Sequence, residues 1–336
     1  MAITIYIPKD WKYGIAEQAT WGTAGLDAAA FMELNVDTPE LDPDITFVDT
    51  KAAHKTRNPT NSETIVRTSG ASPKLSLSGL AKKNEVDVFL YTMFQGVSEA
   101  AATPFAKTFT FNKTSQPDFS VSAGEFLTFI AFDPITAKSV KVKDLISQDI
   151  TFSCSPNEYL KFAASMIGRG LPTHASTPSG TWTVASSSLF HYAEISAAGF
   201  GSSYATPMNL SGPFEIKLSQ TVVPVGSLAG QFQTFGLVDR AFTFKVTMMH
   251  GTATNTLRSN MEAQTNTLMR IRWGSANPGT TDGDLDFSWN ALIKNIKMIN
   301  SDGDITSIEV TGDIVAPVST TNPITVICAN AIDRSW

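Results

Sequence analysis

Asp282, Asp284 and Asp286 surround Gly283, and Asp302 and Asp304 surround Gly303. Alternate carboxylates about a glycine resemble the oxygen donors of calcium loops. Such a loop also needs a bidentate Glu at its twelfth position and flanking helices. Neither cluster has them, and Asp302-Gly303 is already explained as a hairpin turn. A pair of these carboxylates could serve glycoside hydrolysis, but spacing along the chain fixes no distance between them. His54, His174, His191 and His250 each stand alone, and no pair has a metal-ligand spacing. His250 follows an apolar strand and reads as a turn or core residue. Cys154 and Cys328 sit among apolar or small neighbours. They read as two buried free thiols in strands, because metal binding needs further ligands nearby.

The other reaction signatures are missing. There is no Gly-x-Ser-x-Gly elbow and no phosphate-cradling Gly-x-x-x-x-Gly-Lys-Ser/Thr loop. Gly199-Phe200-Gly201 lacks the following helix that a dinucleotide site requires. Trp11, Trp21, Trp182, Trp273, Trp289 and Trp336 could stack on sugars, but they are scattered beside strand-like segments. Core or interface packing is their favoured use. The sequence therefore predicts no enzyme, no cofactor and no metal.

Composition points to what must hold these residues. Only 17% of the 336 residues are charged, against 42% hydrophobic. The polar surface must then come largely from Ser, Thr, Asn and Gln, which suits strands better than surface helices. The net charge of −6 and the lack of a basic run argue against a grip on nucleic-acid phosphates. Met1 to Pro8 alternates like a short strand and lacks the apolar core of a signal peptide. No apolar run is long enough to span a membrane, so synthesis in a cytoplasm is expected. The length predicts about two domains.

A repeat lies in the periodicity. Leu75 and Leu77 alternate with polar residues, and Val86, Phe89, Leu90, Met93 and Phe94 then follow helical spacing up to Gly96. Downstream, Phe242, Phe244, Val246 and Met248 alternate, and Leu257 and Met261 follow four apart. Leu75 matches Val246, and Val86 matches Leu257, at a shift of 171 (246 − 75; 257 − 86). Ile150-Thr151-Phe152, a Pro156-Asn157 turn and the alternating Leu160 to Met166 match Ile296-Lys297-Met298, the Asp302-Gly303 turn and Thr306 to Gly312. That shift is 146 (296 − 150). Strand, helix and hairpin occur twice in one order, so a duplication is expected. The drop of 25 (171 − 146) gives the first copy a longer middle. Residues 1–170 form the first copy and 171–213 a Ser-, Ala- and Gly-rich linker with one or two strands, such as Trp182-Thr183-Val184. Residues 214–336, opening on Phe214 to Leu218, form the second copy. Residues 40–64 are a polar loop of mixed charge, longer than most connections, and a protruding hairpin is expected there.

The stretch from Tyr13 to Ala24, ending Trp21-Gly22-Thr23-Ala24, resembles the opening of phage tail tube proteins with a duplicated tube domain, the major tail proteins of long-tailed bacteriophages. The layout is similar too: a charged loop before Leu75-Ser76-Leu77-Ser78-Gly79, a helix, and a hairpin closing each half. The resemblance implies a mainly β fold of two tandem β-sandwich or barrel-like tail-tube domains, each with a flanking α-helix. It implies three chains per ring with pseudo-sixfold symmetry, and rings that stack head to tail into a tube. The long loop would reach the neighbouring ring, with Asp49, Lys51, Lys55 and Arg57 making polar inter-ring contacts. Implied partners are further copies of the chain, a tape-measure protein, and tail-tip and terminator proteins. DNA would pass through the lumen during ejection without specific binding, and the expected location is the virion tail. The 171–213 segment departs from the family layout and is expected to carry an extra surface hairpin. Two other readings compete: a head–tail joining or decoration protein, and a β-sandwich binding module for a ligand such as carbohydrate.

Overall fold

A computed structural model of the chain describes residues 5–6, 11–18, 31–37, 39–42, 45–50, 65–94, 96–111, 126–176, 182–183, 188–228, 231–300, 306–316 and 322–332. The first half begins with β1 (Ile5–Tyr6), β2 (Lys12–Gln18), β3 (Phe31–Leu34) and β4 (Glu40–Asp42). β5 (Ile45–Thr50) and β6 (Ile65–Ala71) pair as an antiparallel arm, and β7 (Lys74–Leu80) follows. β7 shows the expected alternation, with Leu75 and Leu77 buried and Lys74, Ser76 and Ser78 exposed. α1 spans Val86–Tyr91, and all six of its residues are buried. The apolar spacing predicts a longer helix. It ends at Tyr91, and the Met93 and Phe94 N–H groups both donate to the Leu90 carbonyl in the turn that follows. Gly96 then opens β8 (Gly96–Glu99), which pairs with β9 (Phe105–Thr110). β10 (Phe126–Asp133), β11 (Lys138–Cys154) and β12 (Lys161–Ile167) form a meander, and Asn157 takes a positive φ of 64° in its second turn.

Residues 171–213 carry β13 (Thr173–Ser176), β14 (Trp182–Thr183), β15 (Ile195–Phe200) and β16 (Thr206–Pro207). β13 lies on β11, β14 on β3, and β15 pairs with β16. The long strands β17 (Leu210–Leu228) and β18 (Gln231–Met249) form a second arm. α2 (Thr252–Glu262) follows, with Leu257 buried as its spacing predicts. β19 (Thr267–Trp273), β20 (Leu285–Asn300), β21 (Thr306–Ile314) and β22 (Ile324–Asn330) complete the described chain. The fold is mainly β, and its ladders are antiparallel except for β3 with β14. Among the described residues no helix is long and apolar enough to cross a membrane.

Several ladders recur at fixed offsets. Ile150 faces Ala164 in β11–β12, and Ile296 faces Val310 in β20–β21, an offset of 146 on both strands (296 − 150; 310 − 164). Each ladder has one extra residue at the matching place, Gln148 and Lys294 (294 − 148 = 146). Such β-bulges are positional features and not noise. In β7–β12 and β18–β21, Leu77 faces Ala164 and Val246 faces Val310, an offset of 169 on the first strand (246 − 77). The two arms match as well, with the extra residue at Ser69 in one and Val238 in the other (238 − 69 = 169). The ladder offset of 169 differs by two from the 171 read in the apolar pattern. Two is even, so the same face of the strand is buried under either register.

The extra length after α1 forms the β8–β9 hairpin, and β9 pairs with β22 of the second half. One continuous core cluster takes residues from both halves, from Tyr13 to Cys328. Phe152 and Phe287 lie 5.2 Å apart in it, and Trp273 packs 5.7 Å from Phe214 and 5.8 Å from Phe190. Each such ring, fully buried, contributes on the order of 1.5–3 kcal/mol.

Candidate functional site

With little reactive chemistry in the sequence, the features that could carry function are the strand edges. The C-terminal half of β11 has β12 on one side and β17 on the other. Phe152 faces Ile216, Ile150 faces Leu218 and Asp149 faces Ser219 across this junction of the two halves. β17 forms it because Phe214, Ile216, Leu218 and Gln220 alternate with Glu215, Lys217 and Ser219, and the first set points inward.

Polar contacts fix the register of the junction. The Ser219 hydroxyl donates to Asp149 Oδ1, and Ser165 Oγ donates to Asp149 Oδ2 at 3.3 Å. Lys217 Nζ stands 3.9 Å from the same carboxylate. Gln220 is buried and donates to the Ser147 carbonyl at 2.6 Å. The Ser147 N–H donates to Thr92 Oγ1 at 2.9 Å, so α1 is tied to the same knot. Arg240 Nε donates to Gln220 Oε1 at 3.1 Å, and its guanidinium lies 4.4 Å from the centre of the Phe111 ring. Burial pushes Arg240 down to about 10, which still leaves it a cation at neutral pH. The bulged Gln148 donates to the Val222 carbonyl at 3.2 Å. A satisfied network of this kind specifies one alignment of the two edges.

β20 stands where β11 does, 146 residues on, but its C-terminal half has a strand on one side alone among the described residues. Asn290 and Ala291 face β19 on one side, Ala291 and the residues after it face β21 on the other, and β19 begins opposite Ala291. Beyond that point Asn295–Ile299 pair with β21 and with no other described strand. Lys294, Asn295, Lys297 and Met298 are exposed there. Met298 is 53% exposed, whereas Phe152, its counterpart on β11, is 0% exposed.

The second arm also presents apolar surface. Val223, Val225 and Val238 are exposed along it, while Val222 and Phe235 pack with Phe126, Ile146 and Ile167 of the first half. The sequence singles out one projecting loop; the second arm carries no comparable signal, because only two residues separate β17 from β18. Of the residues expected to contact a neighbouring ring, Asp49 lies in β5. Lys51, Lys55 and Arg57 lie outside the described residues.

The acidic cluster at 282–286 has internal uses. Asp284 is buried and accepts from the Ser275, Gly279, Thr280 and Thr281 N–H groups and from Ser275 Oγ, so it organises its own loop. Asp286 is gripped by Arg270 at 2.7–3.1 Å through both carboxylate oxygens. Asp302 and Asp304 lie outside the described residues, as do His54, Trp21 and Trp336. His174 and His250 are exposed, and His191 caps a turn by accepting from the Ala193 N–H. Both cysteines are buried and free. Trp273 and Trp289 are fully buried, as the packing reading expects. Among the described residues no group of three or more His, Cys, Asp and Glu side chains could hold a metal.

One polar centre was not anticipated. Lys107 on β9 is fully buried and donates to Asp87 Oδ2 at 2.8 Å, Asn330 Oδ1 at 3.1 Å and the Ile332 carbonyl at 2.8 Å. It ties α1 to β9 and β22. Lys107 and Gln220 share a sequence signal, since each is a polar residue in phase with an inward apolar stripe. No protein-family profile matches the chain, and no curated protein matches it either.

Proposed function

We propose that this chain is a structural virion protein of the phage tail tube type, which assembles into stacked rings around a channel for DNA. The observation that carries the reading is the recurrence of one strand set at fixed offsets, down to the bulges at Gln148 and Lys294. In this reading the chain is two tandem tube domains, each with its helix. The β15 ladder on β19 matches the β2 ladder on β10, with Phe200 facing Met269 and Ile15 facing Phe129. In this reading the second copy would extend back to Ile195, upstream of the start at Phe214 expected from the sequence.

Joining two copies edge to edge through β11 and β17 repeats a head-to-tail contact. Contacts of that kind close into rings when the rotation allows. Three chains would supply six copies. The paired arms β5–β6 and β17–β18 would project from each copy and reach the next ring, with Asp49, Lys51, Lys55 and Arg57 on the first arm and its loop. Tape-measure, tail-tip and terminator proteins would meet the same tube. A net-negative lumen would let DNA slide, because a wall without fixed cations gains nothing from counterion release. The net charge of −6 favours this, and a solved tube with a basic lumen would refute it.

Sedimentation velocity across a concentration series tests the reading. It expects species at three times the monomer mass and multiples of it. A single closed species that never stacks would favour the head–tail joining or decoration reading instead.

A further inference from the structure

The ladder registers also say which strands would meet between chains, an inference that rests on the ring reading above. At the internal junction, Glu215, Ile216 and Lys217 face Ser153, Phe152 and Thr151. Ile216 faces Phe244 in β18, and Leu41 faces Leu75 in β7, so the β17 counterpart of Leu41 is Ile216 (216 − 41 = 175; 244 − 75 = 169). Applying 175 to β17 and 146 to β11 carries the junction to Glu40, Leu41 and Asp42 facing Ile299, Met298 and Lys297. Among the described residues of one chain these strands are not paired with each other. β4 carries β7 on one edge and the two-residue β1 on the other, Ile5 facing Leu41 and Tyr6 facing Glu40. β1 thus lies where β11 lies on β17, in the same antiparallel sense.

We propose that β1 is a removable cover over β4, and that Lys297–Ile299 of a second copy replaces it when chains join. Three observations favour this occupant. The new pairing would set Lys297 opposite Asp42, and opposite charges facing across a ladder attract. It would place Met298, now 53% exposed, in the slot that Phe152 fills at the internal junction. It would also cover an edge of β20 that no other described strand pairs with, and an uncovered edge templates uncontrolled pairing. Among the described residues β1 pairs with β4 at two positions, against three at the contact proposed to replace it.

The test combines Asp42→Cys with Lys297→Cys in the full chain. Opposed residues of an antiparallel pair have Cα atoms about 4.5–5.5 Å apart, within the roughly 4.4–6.8 Å that a disulfide spans. Cys154 and Cys328 are buried and leave a quiet background. Mild oxidation should give covalent trimers on a non-reducing gel, with peptide mass spectrometry joining 42 to 297, and neither single variant should form them. Tyr6→Pro, which removes an N–H from the cover, should speed assembly followed by light scattering. Thermal unfolding checks that each variant folds. Rings in the electron microscope without the 42–297 cross-link would overturn this pairing and leave the ring reading standing. Neither rings nor cross-link would overturn both. The cross-link with slower assembly of Tyr6→Pro would overturn the role of β1 as a cover.

Discussion

Phe152 and Ile216 lie directly opposite each other where β11 meets β17, and both are fully buried. Met298 occupies the place of Phe152 in the second half and stands in the open. One added strand separates the two situations. Phe152→Ala should therefore destabilise the single chain by about 3–5 kcal/mol, the usual cost of emptying a buried aromatic site. Met298→Ala should change it by less than about 0.5 kcal/mol, as surface substitutions do, yet raise the concentration needed for assembly. Urea denaturation and sedimentation velocity read the two effects separately.

Lys107 and Asp87 form an ion pair 2.8 Å apart with both side chains fully buried. Removing Lys107 leaves the buried Asp87 carboxylate without its counter-charge, with Asn330 Nδ2 and the Val88 N–H still donating to it, so Lys107→Met should cost about 3–5 kcal/mol. Replacing both with apolar residues of similar volume should recover much of the loss. A double-mutant cycle by chemical denaturation measures the coupling.

Burial pushes the Cys154 thiol up to about 11 and the Cys328 thiol well above its usual value. Both should resist a thiol reagent at pH 8 until the chain unfolds, when two thiols react. The pH dependence has a fixed sign. In the unfolded chain a thiol ionises near 8.5, so their contribution is fully present below that pH. It is lost as the pH rises toward the folded value of Cys154, about 11. Unfolding midpoints at pH 8 and pH 10 check this, with the lower midpoint expected at pH 10.

Charge reversal at Lys51, Lys55 and Arg57 should shorten stacks while leaving single rings intact. In the proposed tube these residues would join one ring to the next and not the chains within a ring. Tube lengths measured by electron microscopy decide the point, and unchanged lengths would remove these residues from the inter-ring contact.

Much of the fold was legible where one face of an element is buried. The period of two in β7 and β18 and the four-residue spacing in α2 follow from a single buried side. The second hairpin was readable because Ile150 and Ile296 sit before turn-forming residues. The end of α1 was not legible, since every residue of that short helix is buried and the stripe does not mark its limit. Ladder register eluded the pattern because a slip of two preserves the buried face. The junction was written only in Gln220, a polar residue in an apolar phase whose partners Ser147, Thr92 and Arg240 are distant in sequence.

In the proposed assembly, copies of this chain join edge to edge into rings that stack. Negative-stain electron microscopy of the purified protein over a concentration series tests it most directly. Rings of threefold or apparent sixfold symmetry are expected, with short tubes with a central channel at the highest concentrations. Monomers that stay monomers at high concentration and on tail tips would contradict it.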